Sequence, residues 1–167
     1  AIGAAIGTAV GTTAGVLIGK KMDKAKAEAA AIANAQVESV TDANGLQAVK
    51  VTFDSGILFA TNKAELNSSA KASLKKFADV LKNYTDADVA IVGHTDNTGS
   101  DAINNPLSLK RAQSVESYLK SCGVTADQIT SVDGKGSKEP VADNGTAAGR
   151  TQNRRVEVFM YASQEMI

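Results

Sequence analysis

Asp96 and Arg111 carry opposite charges fifteen positions apart, in the stretch VAIVGHTDNTGSDAINNPLSLKR at residues 89–111. Residues 89–92 are an apolar run of strand length, Gly93 breaks it, and a polar loop follows from His94 to Asn105. Asn105 is a good helix cap, Pro106 fits a first helical position, and Arg111 then falls in the second turn. A carboxylate leaving a strand end would thus face a guanidinium returning on a helix. Such a pair can close on itself as a loop–helix salt bridge. Left open, it can take a zwitterionic amino-acid end, the guanidinium gripping a carboxylate in bidentate fashion and the carboxylate an ammonium. Thr95, Asn97 and Asn104 offer neutral hydrogen bonds to fix orientation, and N–H groups at a helix start near Asn105 and Pro106 would help hold the anion.

Other chemistries find less support. His94 is the single histidine, with Asp96 or Asp101 as possible partners, and a lone histidine at a strand end reads first as a hydrogen-bonded structural residue. Serines are plentiful, but no GxSxG elbow appears. One cysteine, Cys122, permits neither an internal disulfide nor a Cys-based zinc site, and it reads as a small apolar residue at the end of a helical stripe. DNTGSD lacks the spacing and terminal Glu of a calcium loop, and GKGSKEP lacks a phosphate-cradling motif. No metal and no cofactor is expected. Eighteen Lys and Arg balance eighteen Asp and Glu, which argues against a nucleic-acid partner.

The elements that would hold the site follow from periodicity. Residues 1–19, AIGAAIGTAVGTTAGVLIG, are uncharged and place glycine at every fourth position from Gly3 to Gly19. Small residues at that spacing let helices approach closely in a bilayer, so a glycine-zipper helix packing in or near a membrane is expected over residues 1–22. A flexible Gly/Ala tail is the alternative. Residues 23–36, rich in Ala, Lys and Glu, read as a solvated helical spacer. Residues 37–163 read as one domain. Within it, residues 37–40 and 46–53 form a hairpin about the turn TDANG, and 57–59 an apolar patch. A helix follows with Asn67 or Ser68 as cap and Ala70, Leu74, Phe77, Leu81 and Tyr84 at helical spacing. After the Arg111 helix, whose stripe is Ala112, Val115, Leu119 and Cys122 with Gly123 as terminal cap, residues 129–132 form a strand. Residues 145–155 form a loop with a short helix, and 156–161 a last strand. This order predicts an α/β (α+β) sandwich, one sheet backed by helices, with the place of the last strand in the sheet left open.

The stretches GHTDNTGSDAINNPLSLKRAQSVESYL and GKGSKEPVADNGTAAGRTQNRRVEV together closely resemble the OmpA-like (OmpA C-terminal, Pal, MotB) peptidoglycan-binding domain family, over roughly residues 46–162. The resemblance implies a βαβαβ(α)β domain with a mixed sheet that binds, without catalysis, the diaminopimelate of the cell-wall stem peptide. It implies Asp96 as the ammonium-binding residue and Arg111 as the carboxylate-binding one. Thr95, Asn97, Asn104 and Leu107 match groove positions, Asn153 and Arg154 the far wall, and Arg150 and Arg155 structural ones. The glycine repeat followed by KKMDK resembles, less specifically, the segment preceding such domains in some outer-membrane lipoproteins. The expected setting is therefore the periplasmic face of the outer membrane. Attachment would run through the N-terminal segment or a lipid anchor upstream of residue 1, with a homo-oligomer possible through the zipper. Two other readings compete with this one. A periplasmic hydrolase using His94 and Asp96 needs a nucleophile or metal that the sequence does not supply. A stator-like or channel-associated anchor needs an ionisable residue in the span, and residues 1–19 have none.

Overall fold

The computed structural model describes residues 11–12, 20–41, 46–59 and 63–162. Its strands are β1 (Gly11–Thr12), β2 (Ala35–Thr41), β3 (Gln47–Asp54), β4 (Asp88–His94), β5 (Ile129–Gly134) and β6 (Arg155–Tyr161). Its helices are α1 (Lys20–Ala30), α2 (Ser55–Leu58), α3 (Ser68–Asn83), α4 (Asp101–Ser121) and α5 (Ala147–Asn153). The strands form one mixed sheet in the order β1-β2-β3-β6-β4-β5. Only β4 and β5 are parallel, joined by the crossover helix α4.

The hairpin of β2 and β3 forms as expected, with Val40 opposite Ala48. Asn67 caps α3 as expected, its side chain accepting from the Ala70 N–H at 2.8 Å. The last strand lies in the interior of the sheet, between β3 and β4. All seven of its residues are buried. Val156, Val158 and Met160 join the main core with Leu74, Phe77, Val115 and Leu119 of the helices. Phe159 and Tyr161 join Val40, Ala48, Ala90 and Val92 in a second cluster made of strand residues. The period-2 pleat sends alternate residues of β6 to opposite faces, and those on both faces are buried.

Three expectations need correction. The 23–36 stretch is not a solvated spacer: α1 places Met22, Ala25 and Ala29, all 0% exposed, in the main core. Its polar composition concealed a narrow stripe of small apolar residues spaced by three and four. Second, of the glycine repeat only Gly11 and Thr12 are described, and they are extended, paired with Thr41 and Val40 of β2 rather than helical. The rest of the glycine-zipper expectation lies outside the described residues. No helix among the described residues is long and apolar enough to cross a membrane. Third, α4 opens at Asp101 behind Ser100, not at Pro106. Asn-Pro imitates a helix start, but the first-turn N–H groups belong to 101–104, and Pro106 costs the helix one internal bond further in.

Two glycines let α4 settle against the sheet. A Cβ on Gly93 would lie 2.1 Å from the Ser108 carbonyl oxygen, and one on Gly134 would lie 2.4 Å from the Leu109 nitrogen. With hydrogen in both places, β4 and β5 touch the α4 backbone. That contact sets the height of Arg111, one turn further on, relative to the loop carrying Asp96.

Candidate functional site

β4 ends at His94, and the chain turns away through Thr95 and Asp96. The Thr95 N–H donates to the Gly136 carbonyl at 2.9 Å, and the Lys135 N–H to that of Gly93 at 2.9 Å, so the exits of β4 and β5 are tied together. Asn104, buried at the start of α4, holds the loop from the other side, its Nδ2 donating to the carbonyls of Asp96 and Gly99, both at 3.4 Å. The Thr95 hydroxyl donates to the Asp96 carbonyl at 2.9 Å.

Asp96 and Arg111 line one groove of about 600 Å³. Thr95, Asn104, Leu107 and Arg154 also line it, together with Phe59, Thr98 and Arg150. Arg111 is 5% exposed. Its Nε donates to the Lys63 carbonyl at 3.1 Å, and its Cζ sits 5.1 Å from the centroid of the Phe59 ring. No ion pair among the described residues joins Arg111 to a carboxylate. Burial pulls its pKa down, the nearby Arg154 charge adds to that, and Asp96 partly opposes both. A guanidinium stays charged through such shifts, so Arg111 is a desolvated cation in search of an anion.

Asp96 is more occupied. Its Oδ1 accepts from the Thr98 N–H at 2.8 Å, and its Oδ2 is held by Nη1 of Arg154. Burial alone would raise the carboxyl, but the Thr98 N–H and the Arg154 guanidinium outweigh it and hold the pKa below the ordinary value. The Asp96–Arg111 pair is therefore not closed on itself; Arg154 fixes the carboxylate instead. Two oxygens offer about four acceptor directions, so an incoming ammonium still finds acceptor capacity there.

Two expected groove residues lie elsewhere. Asn153 is 0% exposed and faces the preceding loop. Its Oδ1 accepts from the N–H groups of Val141 and Ala142, and its Nδ2 donates to Ala142 O and Asn144 Oδ1. It is a clasp behind the groove wall, because an amide that satisfies all its hydrogen bonds locally has none left for a ligand. Asn97 is exposed and does not line the groove. Arg150 departs the other way: read as structural, it lines the groove. Its spacing of four from Arg154 on a helical segment is the signal that places both on one side. Phe59, read as part of an apolar patch, serves as the platform for Arg111.

His94 does not face Asp96 or Asp101. It is 1% exposed, and its Nε2–H donates to Glu157 Oε1 at 2.7 Å. Glu157 in turn takes Arg155 Nε at 3.1 Å and stands 3.6 Å from Lys50 Nζ, which also pairs with Glu38 at 2.7 Å. No group of three or more potential metal ligands occurs among the described residues.

The OmpA family model matches residues 58–154. Over 104 residues the chain is 47% identical to the peptidoglycan-binding protein ArfA of Mycobacterium tuberculosis, covering 62% of this chain and 32% of that protein. It is 41% identical over 108 residues to the outer-membrane lipoprotein YfiB of Pseudomonas aeruginosa, covering 65% of this chain and 64% of the relative. Among solved structures, the cell wall anchor of the T6SS from Pseudomonas aeruginosa matches with a TM-score of 0.69 at 31% identity, over 85% of this chain and 97% of that one. The chain spans about a third of the length of the ArfA relatives it matches.

Proposed function

This chain belongs to the OmpA family, and from that premise we propose that it binds peptidoglycan non-covalently, through the diaminopimelate of the stem peptide. The observation that carries the reading is Arg111: a buried guanidinium, stacked on Phe59, with no carboxylate paired to it among the described residues. A free α-amino-carboxylate end supplies the missing anion and brings an ammonium beside it. Its carboxylate takes the open edge of Arg111, and its ammonium takes the remaining acceptor directions of Asp96. Arg154 holds the Asp96 carboxylate in orientation, and Thr95 and Asn104 hold the loop that carries it. Leu107 borders the same groove as an apolar contact for the ligand's methylene chain. The names of ArfA and of the T6SS anchor, which speak of binding and anchoring, support the reading.

The site is a clamp: His94, the one candidate base, is enclosed against Glu157. Binding of this kind would tie the chain, and whatever it is attached to at the outer membrane, to the cell wall. Many copies acting together would compensate for modest affinity at each site. The test is co-sedimentation with purified peptidoglycan. Asp96→Ala and Arg111→Ala each abolish it while the circular dichroism spectrum stays unchanged; retention by both variants sinks the site.

A further inference from the structure

Arg150 has no part in the Asp96 and Arg111 reading, yet it faces the same groove. It projects from α5, and the backbone N–H of Arg154 donates to its carbonyl at 3.1 Å. The two arginines are therefore one helical turn apart and share a side of the chain. They are used differently. Arg154 is committed to Asp96 and to the Thr151 hydroxyl. Arg150 donates through Nη1 to the Asn144 carbonyl at 3.0 Å, a neutral acceptor, and forms no ion pair with a carboxylate among the described residues.

Counting charge along the groove gives three guanidiniums, of Arg111, Arg150 and Arg154, against the carboxylate of Asp96. Asp96 neutralises Arg154. Arg111 and Arg150 are left over, carried by different helices. A ligand with one carboxylate and one ammonium adds no net charge and satisfies only Arg111.

We propose that Arg150 takes a second carboxylate of the ligand, so that the groove selects stem peptides carrying two free carboxylates. The proposal rests on the diaminopimelate reading above. The stem residue next to diaminopimelate is a γ-linked glutamate, whose α-carboxylate stays free unless it is amidated. A carboxamide of the same shape removes the charge. It also turns an amino group toward a guanidinium that can only donate.

Isothermal titration of the full chain tests this with two soluble probes. One is L-alanyl-γ-D-glutamyl-meso-diaminopimelate with the L-centre carboxyl of the diaminopimelate capped as a carboxamide, as the peptide bond to the next stem residue caps it in the wall, and the other is the same peptide with a second carboxamide on the glutamate α-carboxyl. The wild-type protein binds the free acid about tenfold more tightly, the scale of one charge-assisted contact. Arg150→Gln binds both peptides equally, at the level of the amide. Equal binding of both peptides by the wild type overturns the proposal, as does an Arg150→Gln variant that keeps the preference. Arg111→Ala separates the two readings. If the wild type binds both peptides equally and Arg111→Ala loses both, the second carboxylate position falls and the diaminopimelate site stands. If the wild type binds neither peptide, both fall.

Discussion

His94 and Asp96 are two residues apart at the exit of β4, and each meets an arginine-bearing stretch at the start of β6. Around His94 the charges close on one another: Glu157 is shared by His94, Arg155 and Lys50, and Lys50 is shared again by Glu38. Around Asp96 they do not close. Arg154 satisfies Asp96, while Arg111 is buried on Phe59 and, among the described residues, held by a carbonyl and by no carboxylate. The same residue types, a few ångströms along the same strands, make a structural network in one place and an unfinished one in the other. A buried cation without an anion is costly, and a fold keeps one where a ligand completes it. The single histidine of the chain belongs to the closed network of charges through its Nε2.

The largest effect expected from perturbing this contrast is on the closed side. Glu157→Ala leaves His94 Nε2 and Arg155 Nε buried without their carboxylate and should destabilise by about 3–5 kcal/mol, measured by urea unfolding. The acid response gives the sign independently. Burial pushes the Glu157 carboxyl up, but His94, Arg155 and Lys50 outweigh it and bring the pKa to about 2 from an ordinary 4.5. A folded pKa below the unfolded one means stabilisation that is complete above about pH 4.5 and lost as pH falls through about 2. The wild type should therefore lose stability in that window, and Glu157→Gln should lose much less there.

Next comes the contact that joins the two regions to α4. Gly93→Ala forces a methyl group against the Ser108 carbonyl. It should cost about 1–3 kcal/mol and weaken wall binding as well, because α4 carries Arg111. Unchanged binding would mean that the height of α4 is not critical. No larger in stability but sharper in meaning is Asn153→Ala, which unlatches the Val141–Ala142 backbone for about 1–3 kcal/mol. If Asn153 is a clasp rather than a ligand contact, wall binding should fall only a few-fold, whereas loss as complete as that of Arg111→Ala would restore it to the groove. Least of all, Asn97→Ala is exposed outside the groove and should change stability by less than about 0.5 kcal/mol, with co-sedimentation unaltered.

By itself the sequence determined much of this protein. The alternation in β3, the capped stripe of α3, the glycine past the end of α4 and the opposite charges at Asp96 and Arg111 are local signals. Local signals survive because they depend on neighbours within a turn or a pleat. The two motifs, read together, carried the family. What the tertiary structure alone decided depends on partners distant in the chain. It set β6 inside the sheet, with all seven of its residues buried. It gave His94 to Glu157, sixty-three residues away. It handed Asp96 to Arg154 and left Arg111 open. It turned Asn153 back into its own loop and brought Arg150 into the groove. Charge and hydrogen-bond partners are chosen in space, and a residue's type states only what it can bind. Whether that capacity is used up inside the fold or kept for a ligand is settled by which long-range neighbours reach it first.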